Sequence, residues 1–377
     1  MTRVLMLLSN GFTHDPRVAA EAASLTRAGF EVTVLGWDRA GDLPPEEVRG
    51  GVRIVRVRND LWMRLLRYDF LRLRPFWRLA TRRALALHET TKFGVVHCHD
   101  LDTLPVGVHV KARTSSPLVY DAHEFFPFMV GELSRAKPWE GRFAAIERKL
   151  VRRVDHLLVT GPPHRDYFLG MTKSPISIVM NSRPLHHAAY MSPANARMKV
   201  VYFGSLYPGR LLEGLAELAV EDGSIDVDIA GSGSLAPRIR ALAGGSSGNL
   251  RYLGVLPMSD VIPRTHDADV VYSILDPSLR LFRVALPNKF FEALVAGRPI
   301  LVTKNTWLGE EVEAADCGVA IEYTKAALRD AIRGLQADPG GRERMGRNAL
   351  RLAQERYNWA NDEASLLAAY AALGFPS

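Results

Sequence analysis

The chain has 377 residues, 47% hydrophobic and 24% charged, which excludes a disordered protein and leaves room for two α/β domains. Its only cysteines, Cys98 and Cys317, cannot form a disulfide framework or a cysteine-based metal motif, so a reducing compartment is expected. The net charge of +7 divides into +9 for residues 1–190 and −2 for residues 191–377, which indicates an anionic partner for the first half. Nucleic acid, a membrane surface and an acidic acceptor are all open at this point.

Short apolar segments alternate with helical patterns along the first half. The predicted strands are Val4–Leu8, Glu31–Gly36, Val52–Val57, Val95–Cys98, Leu118–Asp121 and His156–Thr160, and the predicted helices include Pro16–Ala28 and Trp139–Val151. This alternation predicts a parallel sheet with helices on both faces. No segment reaches the roughly 18 apolar residues of a membrane helix, and the N-terminus lacks a signal-peptide cleavage site, so we expect a cytoplasmic protein.

The loop after the first strand contains several candidate site residues. Asp15 and Pro16 suit the N-cap and the first position of the following helix. Gly11 offers a flexible backbone at the strand end. His14 and Arg17 are candidates for contact with an acceptor.

Residues 62–83 hold seven arginines against a single acid, Asp69. Aromatic residues are interleaved with them, namely Trp62, Tyr68, Phe70, Phe76 and Trp77. Basic and aromatic residues together suit an anionic membrane surface or a lipid-linked diphosphate. A solvated arginine face on a helix packed against the sheet is an equally good interpretation.

Histidines and carboxylates follow two neighbouring predicted strands. They are His99 and Asp100 after one strand, which itself contains His97, and His123 and Glu124 after the other. Ligands of such sheets bind beyond the carboxyl ends of the strands, so these residues are site candidates, although His97 alternates with His99 and is expected in the core. The cluster is also typical of metal sites.

The strand pattern restarts after residues 184–197, which have no periodic element and therefore predict a linker. The later strands are Lys199–Phe203, Asp226–Ala230, Leu250–Leu253, Val270–Ser273 and Pro299–Thr303. We therefore predict domains at 1–185 and 186–377, with a terminal helix near 358–373.

Two glycine-rich turns follow strands of the second half. One contains Gly204, Ser205 and Arg210, where glycine lets the backbone approach a phosphate and arginine can bind its oxygens. Arg210 could equally be an exposed turn residue. The other, from Gly231 to Ala236, matches the dinucleotide fingerprint Gly-x-Gly-x-x-Ala, but the next strand is not followed by the acid that such sites need.

The segment Ala285-Leu286-Pro287-Asn288-Lys289-Phe290-Phe291-Glu292 predicts a helix start. Free amides there and Lys289 would attract an anion, while Glu292 lies one turn deeper and can accept the two hydroxyl protons of a ribose. The alternative interpretation is that Lys289 and Glu292 form a solvated ion pair on the helix surface and bind no ligand.

Taken in order, these motifs resemble the retaining family-four glycosyltransferases of GT-B fold. The resemblance implies an α/β protein of two facing Rossmann-like domains with a cleft between them, and a C-terminal helix that returns to the N-terminal domain. It also implies a donor site. The donor residues would be Gly11, Gly204, Ser205, Arg210, Gly231, Leu286, Asn288, Lys289 and Glu292. The family's first donor-site glutamate is replaced here by Val284.

The same resemblance assigns a catalytic contact with the donor sugar to His123, beside Lys289 and Arg210 on the leaving diphosphate. The acceptor candidates are His14, Arg17, His99, Asp100 and Glu124. No metal and no cofactor is expected, since the sugar nucleotide (UDP, GDP or TDP) is itself a substrate. Because charge on the departing diphosphate is met by fixed cations, transfer would need no divalent ion.

The expected activity is transfer of a sugar, with retention, to a glycan, lipid-linked or small-molecule acceptor, as in polysaccharide or natural-product glycosylation. A nucleotide-sugar epimerase of the same fold is the nearest alternative, and an NAD-dependent oxidoreductase a more distant one. We expect no nucleic-acid partner, because no recognition motif accompanies the basic charge. Peripheral contact of residues 62–83 with the inner membrane face is left open.

Overall fold

The computed structural model describes residues 1–13, 15–60, 63, 65–66, 69–134 and 137–375. By their contacts these residues form two compact units, Met1–Met180 with Asp362–Ser377, and Asn181–Asn361. Each unit is an α/β structure built around one sheet. In the part of the chain that is described, no helix has the length and apolarity to traverse a bilayer.

The strands are β1 Arg3–Leu7, β2 Glu31–Asp38, β3 Glu46–Arg49, β4 Val52–Arg58, β5 Val95–His99, β6 Leu118–Ala122, β7 His156–Val159, β8 Ile176–Ile178, β9 Met198–Phe203, β10 Ile225–Ala230, β11 Leu250–Tyr252, β12 Val270–Tyr272, β13 Ile300–Thr303 and β14 Gly318–Ile321. The helices are α1 Pro16–Arg27, α2 Asp69–Thr91, α3 Leu104–Thr114, α4 Phe126–Leu133, α5 Glu140–Leu150, α6 Pro162–Phe168, α7 Leu212–Glu221, α8 Ala236–Gly244, α9 Met258–His266, α10 Arg280–Val284, α11 Asn288–Ala296, α12 Trp307–Ala314, α13 Lys325–Ala337, α14 Pro339–Glu355 and α15 Trp359–Ala372.

The sheet of the first unit has the order β3-β4-β2-β1-β5-β6-β7-β8, and only the β3–β4 pair is antiparallel. The sheet of the second unit has the order β11-β10-β9-β12-β13-β14 and is parallel throughout. The predicted α/β class with parallel sheets is therefore confirmed. Parallel strands bring their carboxyl ends to one edge, which is where such sheets bind ligands.

Every predicted strand is present with bounds shifted by two residues at most, but β3, β8 and β14 were missed. β3 is polar and largely exposed at the sheet edge, so it lacks an apolar pattern. β8 has only three half-buried residues, and β14 begins with Gly318, a residue rare in strands.

The last helix, α15, begins in the second unit, and its residues from Asp362 onward belong to the first. There Leu366, Ala369 and Tyr370 are fully buried against Val4, Phe30 and the other residues on one face of the first sheet. On the opposite face, Phe76 of α2 stacks on Trp37 of β2 with their ring centroids 4.3 Å apart.

Candidate functional site

The carboxyl ends of β9 and β10 bring two glycine turns together in the second unit. Phe203 pairs with Ala230, so Gly204 and Gly231 are neighbours. A Cβ on Gly231 would lie 1.7 Å from the Gly204 carbonyl oxygen, and Gly231 has a φ of +137°. The Gly-x-Gly turn is therefore required for backbone packing.

Lys289, in the first turn of α11, lies against this glycine turn. A Cβ on Gly204 would lie only 2.5 Å from the Lys289 Nζ, so the missing side chain makes room for the ammonium group. The same Nζ lies 4.4 Å from the ring centroid of Tyr202. Burial, together with the positive charge of Arg210, lowers the pKa of Lys289 to about 8, although Glu292 opposes the shift.

Arg210 reaches the same tyrosine from the loop before α7. Burial raises the pKa of Tyr202 to about 12, and the charge and hydrogen bond of Arg210 oppose that rise. The guanidinium carbon lies 5.3 Å from the ring centroid of Phe282, while the Tyr272 hydroxyl donates to the Arg210 carbonyl oxygen at 2.9 Å. The structure thus brings Arg210 and Lys289 together, as the sequence predicted.

Neither of these two cations has a carboxylate within salt-bridge distance among the described residues. Aromatic faces hold them instead, and an aromatic ring leaves the positive charge uncompensated. Both side chains are half-buried rather than enclosed. The arrangement can therefore bind an anion.

The start of α11 adds backbone donors to this site. The helix begins at Asn288, with Pro287 as its N-cap and no side-chain cap. Amides of an uncapped first turn are free to bind an anion. Asn288 is exposed and Leu286 is half-buried. Ser205 follows Gly204 in the first glycine turn and is exposed, and its carbonyl oxygen accepts from the Tyr202 hydroxyl at 2.6 Å.

Glu292, one turn after Lys289, is only 5% exposed and is paired with Arg183, whose Nη2 lies 3.0 Å from its Oε1. Sequence reasoning missed Arg183. The two residues are 109 positions apart in the chain, and no local pattern around Arg183 indicates the pairing. Arg183 fixes the carboxylate and offsets its charge, so Glu292 does not neutralise Lys289 fully.

In the first unit, Asp121 is the centre of a buried ionic network. The register pairs His99 with Asp121 across β5 and β6. Arg17 donates to Asp121 through Nη2 at 2.5 Å and Nε at 2.9 Å. The Nε2 of His123 and the Nδ1 of His99 lie 2.6 and 3.2 Å from the Asp121 Oδ2. Despite burial, Arg17 and His123 hold the pKa of Asp121 well below its usual range.

His123 lies between two carboxylates, because its Nδ1 is 3.4 Å from the Asp100 Oδ2. Burial lowers the pKa of His123, but Asp121 and Asp100 outweigh it and raise the value to about 10. Burial raises the pKa of Asp100 to about 7, against the charge of His123. His123 is therefore a fixed imidazolium at neutral pH, with both ring nitrogens directed at carboxylates.

The placement of Arg17 corrects one expectation. Its side chain is 5% exposed, and the guanidinium donates to Asp121 and to the Val179 carbonyl oxygen, so Arg17 is an internal cation rather than an acceptor contact. His99 is likewise buried. His97 is in the core as expected, with its Nδ1 2.9 Å from the Tyr370 hydroxyl.

Of the other acceptor candidates, Asp100 is half-exposed and Glu124 exposed. His14 lies outside the described residues. Gly11, predicted on the donor side, is half-exposed, and its carbonyl oxygen accepts from the Arg56 Nε at 2.8 Å.

Glu21, His97, His99 and Asp121 offer ligand atoms that all lie within 4.8 Å of one another. Zinc uses such ligands. Arg17 already contacts both carboxylates, since its Nε also lies 3.1 Å from the Glu21 Oε1. A bound metal ion would have to share them with this buried guanidinium, which is electrostatically unfavourable.

The comparisons with known proteins agree with this geometry. Residues 14–182 match the family model "Glycosyl transferase 4-like domain", and residues 197–338 match "Glycosyl transferases group 1". A D-inositol 3-phosphate glycosyltransferase from Actinosynnema mirum is 24% identical over 94% of this chain and 90% of its own. A glycogen synthase from Mycobacterium tuberculosis is 24% identical over 90% of this chain and 86% of its own.

Solved structures show the same fold. Sucrose-phosphate synthase from Thermosynechococcus elongatus superposes with a TM-score of 0.82 at 17% identity, covering 99% of both chains. Anabaena HepE in complex with UDP-glucose superposes with a TM-score of 0.73 at 13% identity, and the match covers 98% of this chain and 100% of the HepE chain. The chain therefore belongs to the group 1 glycosyltransferases of GT-B fold, enzymes that transfer a sugar from a nucleotide-sugar donor.

Proposed function

We propose that the donor is a UDP-sugar and that its diphosphate binds to Lys289, Arg210 and the first amides of α11. The observation that carries this proposal is the pair of cations on Tyr202, which no described carboxylate neutralises. The choice of uridine is supported by the HepE complex with UDP-glucose and by a structure described as trehalose-6-phosphate from E. coli bound with UDP-2-fluoro glucose. The ribose would bind to Glu292, which Arg183 holds in place.

In this proposal the sugar leaves through an oxocarbenium-like state while negative charge grows on the departing diphosphate. Lys289, Arg210 and the helix amides stabilise that charge, so the transfer step runs without a divalent metal. We propose that the new bond keeps the donor's anomeric configuration. Val284 supplies no carboxylate to the sugar, so the phosphate oxygens of the leaving group would guide the acceptor hydroxyl.

His123 is proposed to contact the donor sugar. Its fixed charge comes from Asp121 and Asp100, which hold the ring between them. Asp100 and Glu124 are the more exposed candidates for orienting an acceptor hydroxyl. With Arg17 and His99 buried, the acceptor proposal rests on these two carboxylates.

We also propose that part of residues 62–83 contacts an anionic membrane surface. Leu65 and Leu71 are 81% and 40% exposed, and apolar side chains beside arginines suit a lipid interface. Phe76 does not belong to this surface, because it is buried against Trp37. The protein should co-sediment with anionic vesicles at low salt and less so at high salt, whereas no binding at low salt would indicate a soluble acceptor.

The donor proposal is tested by thermal-shift titration with UDP, GDP, ADP and TDP and with their sugars. We expect UDP and a UDP-sugar to raise the melting temperature most, and Glu292→Ala to abolish most of that shift and most transfer. Lys325→Ala is the matched control, because among the residues described Lys325 pairs with Glu217 at the exposed surface of the same unit. A wild-type response from Glu292→Ala would refute the site.

A further inference from the structure

A groove of about 550 Å³ lies between α2 and α3 in the first unit. Arg74, Arg78 and Arg82 line it from α2, and His109 and Arg113 line it from α3, with Trp77 in the wall. All of the lining residues are basic, apolar or neutral. The groove is separate from the Asp121 network, whose residues do not line it.

The groove concentrates positive charge without compensation. Within the described ranges, none of the four arginines has a carboxylate partner. Arg74, Arg78 and Arg82 also follow one another at spacings of four residues, where like charges on a helix repel each other. An anion bound in the groove would relieve this repulsion and would be attracted by the guanidinium groups of both helices.

The walls of the groove are fixed by packing. Phe76 stacks on Trp37 of the sheet, which turns the neighbouring face of α2 outward. The Trp77 indole N–H donates to the Asp102 carbonyl oxygen at 2.7 Å, tying α2 to the loop that precedes α3. The arginine side chains that line the groove are exposed to solvent, while the helices that carry them are held in place by these contacts.

The spacing of the arginines defines the ligand. Along an α-helix, Arg74 and Arg82 are separated by about 12 Å at 1.5 Å per residue, so this row of arginines offers its charges over a length greater than that of one phosphate group. Arginine binds phosphate oxygens through two parallel hydrogen bonds. A concave groove with cations on two walls encloses a compact ligand, whereas a bilayer presents a nearly flat surface.

We propose that the groove between α2 and α3 is a binding site for a compact anion with two or more phosphate groups. This proposal does not rest on the proposed donor or on membrane contact. Its ligand would bind on the outer side of α2 and α3, to Arg78 and Arg82 on one wall and Arg113 on the other.

The test uses inorganic tripolyphosphate in isothermal titration at low salt. Because this probe would also bind at Lys289 and Arg210, the titration is made on the full chain carrying Arg210→Gln and Lys289→Gln. We expect saturable binding in that background, and at least a tenfold weaker affinity when Arg78→Gln and Arg113→Gln are added. Arg83→Gln is the matched control, since Arg83 is exposed on α2 but does not line the groove.

Several outcomes of this titration would overturn the proposal. They are absence of binding in the Arg210→Gln/Lys289→Gln background, equal loss from Arg83→Gln, and affinity no greater than that of monophosphate. If anionic vesicles bind through Arg78 and Arg113 while tripolyphosphate does not, the groove is part of a membrane surface and the proposal is wrong. None of these results bears on UDP binding, which is measured separately on the protein with an intact donor site.

Discussion

Arg17 in the first unit and Lys289 in the second are both basic side chains drawn away from water, but they differ in what surrounds them. Arg17 is 5% exposed and contacts the carboxylates of Asp121 and Glu21. Lys289 lies against a tyrosine ring and a glycine turn. The first cation is neutralised and contributes to the fold, whereas the second keeps its charge for a ligand. Charge compensation thus separates a structural cation from a binding one.

The largest effect is expected from Asp121→Ala. This change leaves Arg17 buried without its main partner, which typically costs about 3–5 kcal/mol. The free energy of unfolding of the first unit, measured by urea denaturation, should fall by that amount. The double variant Arg17→Met/Asp121→Leu is the control, and it should be more stable than Asp121→Ala because it removes the buried guanidinium together with its main carboxylate partner. Equal stability of all three proteins would contradict a structural role for the network.

Lys289→Ala should act on catalysis and not on stability. Loss of one cation that meets leaving-group charge typically lowers turnover about 100- to 1,000-fold. The melting temperature should stay the same or rise, because a desolvated ammonium without a carboxylate partner is unfavourable. Lys325→Ala again serves as the control. A large drop in melting temperature with near-normal turnover would show that Lys289 stabilises the fold and does not act on the leaving group.

The smallest expected effect is on the pH dependence of UDP binding. The pKa of Lys289 in the free protein is lowered to about 8, so the charged form that attracts phosphate is lost as the pH rises through that value. The dissociation constant for UDP should therefore increase by up to about fivefold between pH 8 and pH 9, since roughly half of the ammonium is already neutral at pH 8. Lys289→Arg should show no such increase, because arginine stays charged. A pH-independent wild-type affinity would mean that Lys289 does not contact the anion.

Much of the fold and of the second-unit site could be predicted from local sequence. Strand ends, glycine turns and the Pro287 helix start are short-range signals, and they correctly indicated that Lys289 and Arg210 meet. The NAD interpretation of the Gly231 turn is not favoured, because the family models and the similar proteins are glycosyltransferases.

What could not be predicted depends on pairings between distant residues. Arg17 was expected to contact an acceptor because its loop follows a strand end, but Asp121, 104 positions later, holds it in the interior. Arg183 was missed for the same reason, and Phe76 was assigned to a surface that it does not share. The burial of a charge is decided by its partner, which one sequence does not reveal.

The return of residues 362–377 to the first unit has a consequence for synthesis on the ribosome. Leu366, Ala369 and Tyr370 complete a face of the first sheet, yet they are translated after the whole second unit. At about 5–20 residues per second, residues 181–361 take roughly 10 to 35 s to emerge. During that interval the part of the sheet face that these three side chains cover stays exposed, because α1 covers only the rest of it, so we expect the first unit to complete its core only after the second unit has been synthesised.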